Sequence, residues 1–273
     1  MHNILLNAKV LVFDLDGTLY DGTEHYDYYA SQLEKEVNEN DRELFRNDYD
    51  QMKKNNHILS IGKVYDTKND YVLTLDPLTL TISEVHTWDG KLVDKNQLDD
   101  SYMQSFSLTD PFIPIGDGWW LPLVTSYHYG ARDVWYCYDK TKEFMASDQF
   151  QIPQIKGLIE GLHELKSAKK LVLLTNSDRA DVTRLLKILK LDNLFHLELT
   201  DGNKPLETEK HLKYIMNTYE VKPEEVVSIG DNFINEIAPA LKLGMHGVYI
   251  TNQPSKQISP TLCVIPKLDI LFE

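Results

Sequence analysis

Cysteine is nearly missing from this chain: its 273 residues include two, Cys137 and Cys263, far apart in sequence. Two such residues do not make a disulfide framework, so the expectation is a protein of the reducing cytoplasm with both thiols buried as small apolar groups. Long hydrophobic runs are missing too, and no stretch is long enough to cross a bilayer. The opening MHNILLNAKVLVF has a short apolar patch broken by Lys9 and no small-residue cleavage site, and it reads as a first strand rather than a signal peptide. Positive charge is scarce: 28 Lys and Arg stand against 42 Asp and Glu, a net charge of -14. That balance speaks against nucleic acid polymers and membrane surfaces as partners, because both demand basic surface. Internal repeats and low-complexity segments are absent as well.

What is present is core material. Apolar residues make up 42% of a chain long enough for two domains. From about Pro153 onward, strand and helix signals alternate. PQIKGLIEGLHELKSAK has Ile155, Leu158, Ile159, Leu162 and Leu165 at helical spacing. KLVLLTNS from Lys170, FHLEL from Phe195, EVVSIGDN from Glu225, HGVYIT from His246 and TLCVI from Thr261 read as short strands. Between them, ADVTRLLKILK, ETEKHLKYIMNTY and EIAPALKLG read as helices, the first capped by Ser177 or Asp178 and the last closed by Gly244. This order predicts an α/β, Rossmann-like parallel sheet with helices on both faces. VLVF, from Val10, joins the set, because a run with no polar alternation suits a strand buried on both sides.

Residues 22–150 break the pattern. They open with a mostly polar helical stretch, Glu24 to Met52, then turn β-like at HILSIGKVYD, YVLTL and LTISEVHTW. Asp89-Gly90 signals a hairpin turn into KLV, residues 94–118 are turn-rich without a placement, and ARDVWYCYDKTKEFMA reads as helix. The organisation expected is a catalytic core from residues 1–21 and 151–273, with residues 22–150 as an inserted domain of mixed helix and β.

In open parallel sheets, ligands bind outside the carboxyl ends of the strands. The residues there are Asp14 and Asp16, Thr175 and Asn176, Lys204 a short loop beyond FHLEL, and Gly230-Asp231. Each alone has an ordinary reading: a surface turn for D-x-D-G-T, a helix cap for Thr175-Asn176, a solvated lysine (with Lys210 as a nearby competitor), a plain loop for Gly230-Asp231. Together, in this order, they suit phosphoryl transfer. A carboxylate can attack phosphorus and divide a slow hydrolysis into two easier steps. A divalent cation must bridge carboxylate and phosphate, and Mg²⁺ takes oxygen ligands such as Asp14 and Asp231. Thr175 and Lys204 can hold phosphoryl oxygens. Asp16, two residues from Asp14 along an extended chain, faces the same way and can move the proton to the leaving oxygen and from the incoming water. Gly17 lets the chain turn sharply there.

On these segments the sequence resembles the haloacid dehalogenase-like (HAD) superfamily of phosphohydrolases. DLDGT from Asp14 matches its D-x-D-G-T motif, Thr175 in VLLTNS the second motif, Lys204-Pro205 the third, and GDNFINE from Gly230 the fourth. The resemblance covers about residues 8–21 and 153–265. It implies a HAD-like core, with Asp14 as nucleophile and Asp16 as general acid/base. It implies Mg²⁺ held by Asp14, the backbone carbonyl of Asp16, Asp231 and the second acid of motif four, which is Glu236 here where Asp is common, with Asn235 as a neighbour that could share the role. The phosphate would meet Thr175, Asn176 and Lys204. Residues 22–150 would be a C1-type cap, although such caps are mostly helical. A second Asp in motif one points to phosphatases and phosphomutases and away from dehalogenases. The expected function is thus a Mg²⁺-dependent phosphatase acting on a small phosphorylated metabolite through an aspartyl-phosphate on Asp14. The alternatives are a phosphosugar mutase and a non-catalytic metal- or phosphate-binding relative. Candidates for substrate contact are Tyr20, His25, Tyr26, Trp119, Trp120, His128 and Arg132; Gly116-Asp117-Gly118 reads as a turn.

Overall fold

The computed structural model describes residues 3–76, 79–98, 102, 110–252 and 259–272. In chain order its main elements are β1 (Val10–Phe13), α1 (Glu24–Glu34), α2 (Arg42–Lys53), β2 (Val64–Asp66), β3 (Tyr71–Leu75), β4 (Ile82–Thr87), β5 (Phe112–Pro114), α3 (Trp120–His128) and α4 (Trp135–Met145). They continue with α5 (Leu158–Ala168), β6 (Lys170–Leu174), α6 (Arg179–Ile188), β7 (Leu197–Leu199), α7 (Thr208–Tyr219), β8 (Val226–Gly230), α8 (Ala238–Lys242), β9 (His246–Ile250) and β10 (Leu262–Ile265). The chain divides into two compact units, residues 1–22 with 152–273 and residues 23–151.

The first unit is a parallel sheet in the order β10-β9-β8-β1-β6-β7, with helices on both faces. All four residues of β1 are buried because both faces are covered. Val10 and Val12 pack with Val172, Val226, Leu212, Ile215 and Ala240 on one face. Phe13 points the other way and meets the edge of Phe195. Each such side chain taken fully from water contributes roughly 1.5–3 kcal/mol, so the unbroken apolar run fixes β1 as an interior strand. From β1 the chain builds outward to β6 and β7, then crosses to β8 on the opposite side. The switch point, where such sheets open a crevice, therefore lies between β1 and β8.

Several boundaries differ from the expected ones. The helix expected from Pro153 starts at Leu158, because Gly157 at its N-cap sits at φ 76°, outside helical backbone. Asp178, not Ser177, caps α6, accepting from the Asp181 N–H at 2.9 Å. The strand expected from Phe195 is confined to Leu197–Leu199. The segment from Glu236 is a π-helical turn, Phe233–Ile237, running into α8, and Gly244 follows its last turn at φ 82°.

The second unit is an antiparallel sheet, β4-β3-β2-β5, packed with α1 to α4. The KLV segment after Asp89-Gly90 makes only a single bridge, Leu92 to His86, instead of a strand. Residues 94–118 lie partly outside the described residues; within them Phe112–Pro114 forms β5 and Asp117 turns the chain, its carboxylate accepting from the Trp119 N–H at 2.9 Å. The helix α3 was not expected, and Pro122 fits its first turn, where no N–H is needed. The segment from Ala131 becomes helical only at Trp135. Neither cysteine is disulfide-bonded; Cys137 is buried, whereas Cys263 is only half-buried. No helix among the described residues is long and apolar enough to cross a membrane.

Candidate active site

The register of the parallel sheet assembles the site. Phe13 is level with Leu173 on one side and Ile229 on the other. The residues that follow, Asp14, Thr175 and Asp231, therefore leave three neighbouring strands at the same edge. The Asp14 N–H still donates to the Ile229 carbonyl at 3.0 Å, and that of Thr175 to Leu199 at 3.0 Å, so both side chains stand on fixed backbone.

Four buried groups meet here. The Lys204 ammonium donates to Asp14 Oδ1 at 2.6 Å and to Glu236 Oε1 at 2.7 Å, with only 3% of its side chain exposed. Burial alone would favour neutral lysine, but the two carboxylates outweigh it and hold Lys204 well above its usual range. Burial pushes Asp14 up; Lys204 opposes this and Asp16 adds to it. Glu236 is pushed up to about 8, chiefly by burial and further by Asp14, against the pull of Lys204. Burying charges this way costs energy unless they are paired, and one ammonium serves two carboxylates.

Asp14, Asp231 and Glu236 each offer an oxygen within 4.8 Å of the others. Three carboxylate oxygens that close are the donor set of a hard divalent cation, and these residues fit one. Two glycines make the approach possible. A Cβ on Gly17, whose φ is +77°, would stand 2.2 Å from Asp231 Oδ2, and one on Gly230 would stand 2.5 Å from Glu236 Cγ. Glutamate at 236 has a structural reason as well. Its Oε2 accepts from the Asn232 N–H at 2.9 Å, while the Asn232 side chain accepts from the N–H groups of Ile234 and Asn235. The longer side chain reaches back to close its own helical turn and forward to Lys204. Asn235 is buried, and its backbone carbonyl accepts from Thr208 Oγ1 at 2.9 Å.

Asp16 is not one of the three clustered carboxylates, although its charge acts on Asp14. Tyr20 Oη donates to its Oδ1 and Ser177 Oγ to its Oδ2, the latter at 2.8 Å. Thr175 is buried and its hydroxyl accepts from the Ser177 N–H at 3.1 Å. Asn176 faces solvent, and its amide is engaged on both sides by the Lys204 backbone: Nδ2 donates to the Lys204 carbonyl at 3.1 Å and Oδ1 accepts from its N–H at 2.7 Å. The amide thus positions Lys204. The competitor Lys210 is exposed and paired with Glu207 at 2.6 Å. A cavity of about 330 Å³ borders Gly17, Thr18 and Asp231 and is completed by Lys156, Thr251 and Lys267 among others.

The expected substrate-contact residues have partners within their own units. Tyr20 is buried against Asp16. His25 is fully buried among the rings of Tyr26, Trp119 and Phe150. Trp119 packs against Tyr29 and Tyr138, and Trp120 flanks the same apolar cluster. His128 stacks on Trp88 at 4.0 Å and bonds Asp70 at 2.8 Å. Arg132 donates to the carbonyl of Tyr127 at 2.8 Å and lies over that residue's ring. Tyr20 and Ser177 are the residues at the site whose placement spacing did not indicate; the turn residue that follows T-N is the one available signal for Ser177.

Residues 8–244 match the family described as haloacid dehalogenase-like hydrolase. No curated protein matches the sequence. Among solved structures, the HAD-hydrolase YfnB from Bacillus subtilis, bound to magnesium, is similar over 97% of this chain and 97% of its own, with a TM-score of 0.53 and 13% identity. A dehalogenase with an intermediate complex is similar over 97% and 96%, with a TM-score of 0.53 and 18% identity. A haloacid dehalogenase-like hydrolase from Streptococcus pneumoniae is similar over 97% and 97%, with a TM-score of 0.50 and 15% identity. At these identities the likeness is one of fold.

Proposed function

Since the chain belongs to the haloacid dehalogenase-like hydrolase family, we propose that it is a Mg²⁺-dependent phosphatase of small phosphorylated metabolites, working in the cytoplasm with Asp14 as nucleophile. The observation that carries this reading is the convergence of Asp14, Asp231 and Glu236 on one cation-sized space, with Asp16 beside them. Displacing halide from carbon has no use for such a cluster, since buried carboxylates repel the departing anion. The magnesium bound to the similar YfnB structure supports the same choice of ion.

Asp14, Asp231 and Glu236, with the Asp16 carbonyl, would hold the ion. When bound it offsets the negative charge of the phosphoryl oxygens and of the carboxylates that face them. Asp14 supplies the attacking oxygen and carries the phosphoryl group between the two steps. Lys204 holds Asp14 ionised and in place, and with Thr175 it binds the oxygens on which charge gathers. Asp16 gives a proton to the departing alkoxide and later takes one from water. Asn176 fixes the Lys204 backbone and so aims the ammonium. Residues 23–151 serve as a C1-type cap that selects the substrate.

The test is a panel of phosphorylated metabolites with Mg²⁺, read as released phosphate. At least one ester should be hydrolysed, and chelation should stop it. Isomerisation of a sugar phosphate without phosphate release would convert the reading to a mutase. Binding without turnover across the panel would convert it to a non-catalytic relative.

A further inference from the structure

Asp16 is gripped at both oxygens, and neither grip is ionic. Tyr20 Oη donates to Oδ1, and Ser177 Oγ donates to Oδ2 at 2.8 Å. Tyr20 is 1% exposed, and an isolated backbone bridge joins it to Asp16, so the donor ring is fixed by packing as well as by chain geometry. Ser177 comes from the loop after β6, the strand paired with β1. Its N–H donates to Thr175 Oγ1 at 3.1 Å, which ties the grip to the carboxyl end of β6. Lys204 is committed to Asp14 and Glu236.

A carboxyl held at both oxygens cannot turn about its terminal bond without breaking a hydrogen bond. Hydroxyls suit the task better than an ammonium, because a hydroxyl donates to a carboxylate and can rotate to accept from a carboxylic acid. The same two partners can therefore hold Asp16 through both halves of a reaction. We propose that Tyr20 and Ser177 are positioning residues that set the direction of Asp16 for proton transfer at the phosphoryl site. This rests on the phosphatase reading. In the first half an Asp14 oxygen bonds to phosphorus, the ester P–O bond breaks, and the Asp16 proton passes to the departing oxygen. In the second half water bonds to phosphorus, the bond from Asp14 to phosphorus breaks, and Asp16 takes the water's proton.

The discriminating variable is the leaving group. An alkoxide needs the proton and a 4-nitrophenoxide does not. The value of kcat/KM covers only the steps up to departure, so it isolates the first half. Tyr20→Phe and Ser177→Ala are compared with wild type on an alkyl phosphate and on 4-nitrophenyl phosphate, in Mg²⁺. Misdirecting the acid should lower kcat/KM for the alkyl ester by about 100-fold, and for the nitrophenyl ester by about threefold or less. Calorimetric Mg²⁺ affinity should stay at the wild-type value in both variants, showing Asp14, Asp231 and Glu236 undisturbed, and Ser177→Thr should restore most of the alkyl activity. Equal losses on the two esters, or no loss on either, would overturn the inference while leaving the phosphatase reading intact. A wild-type chain that cleaves neither ester would overturn the phosphatase reading itself, and the positioning role with it.

Discussion

The two units bury polarity in opposite ways. In the sheet unit four of the buried charges, Asp14, Asp16, Lys204 and Glu236, collect at one edge, Asp181 being paired with Arg184 on α6, and the cluster around Val10 and Val12 is aliphatic. In the second unit the core is built on rings, with Tyr29, Phe45, Tyr49, Tyr65 and Trp88 at its centre. Its polar groups are satisfied locally: the fully buried Asp66 accepts from the Lys68 N–H at 2.9 Å, Asn69 Nδ2 at 2.9 Å and Tyr102 Oη, and the half-buried Asp48 from Trp88 Nε1 at 2.8 Å and Tyr129 Oη at 2.6 Å. The contrast teaches where to look for chemistry. Neutral donors on a carboxylate finish a core, whereas carboxylates crowded on one ammonium are left short of positive charge and will take a cation.

The comparison breaks hardest at Lys204. Lys204→Met should cut turnover by about 10³-fold. Without a divalent cation it should also cost about 3–5 kcal/mol of stability, because two buried carboxylates lose their partner. Denaturant unfolding with and without Mg²⁺ checks this, and the ion should recover part of the loss. Next comes Gly17→Ala, whose Cβ would collide with Asp231. Cation affinity measured by calorimetry should fall about 10- to 100-fold with the fold retained.

A smaller, graded effect concerns Glu236. Its folded pKa of about 8 lies above the ordinary carboxylate value, so the cation-free folded chain keeps a proton that the unfolded chain has released. The stability this supplies is complete at acid pH, below the unfolded value, and is lost as pH rises through about 8. Cation binding must displace that proton. Affinity should therefore rise by up to about tenfold per pH unit towards pH 8, and Glu236→Gln should flatten both dependences. The smallest effect belongs to the other unit. Trp88→Phe removes a donor to Asp48 and should cost about 1–2 kcal/mol in thermal unfolding, with no change in cation affinity. A change there would erase the distinction between the two kinds of polar burial.

The sheet unit was legible because burial on both faces leaves a plain mark: VLVF and LVLL are unbroken apolar runs, VVSI is interrupted only by Ser228, and the polar residue ending each lies at the carboxyl edge. Contacts across long sequence separations leave no such mark. Nothing in the spacing joins Ser177 to Asp16, 161 residues apart, and Tyr20, a candidate for substrate contact, is instead buried with its hydroxyl on Asp16. The ring-rich unit was harder still. Its strands are three to six residues long, Pro122 hides the start of α3, and Pro111 precedes β5. His25 is buried for a readable reason. With Tyr29, Gln32 and Leu33 it falls on the buried face of α1, a helical spacing that the polar composition of the segment masked.

The proposed reaction turns on one bond, between Asp14 and phosphorus. Acid quenching during turnover of a hydrolysed ester, followed by peptide mass mapping, measures it directly. The predicted result is a phosphoryl group on the peptide carrying Asp14, absent in Asp14→Asn. A phosphoryl group on another residue, or undiminished turnover in Asp14→Asn, would contradict it.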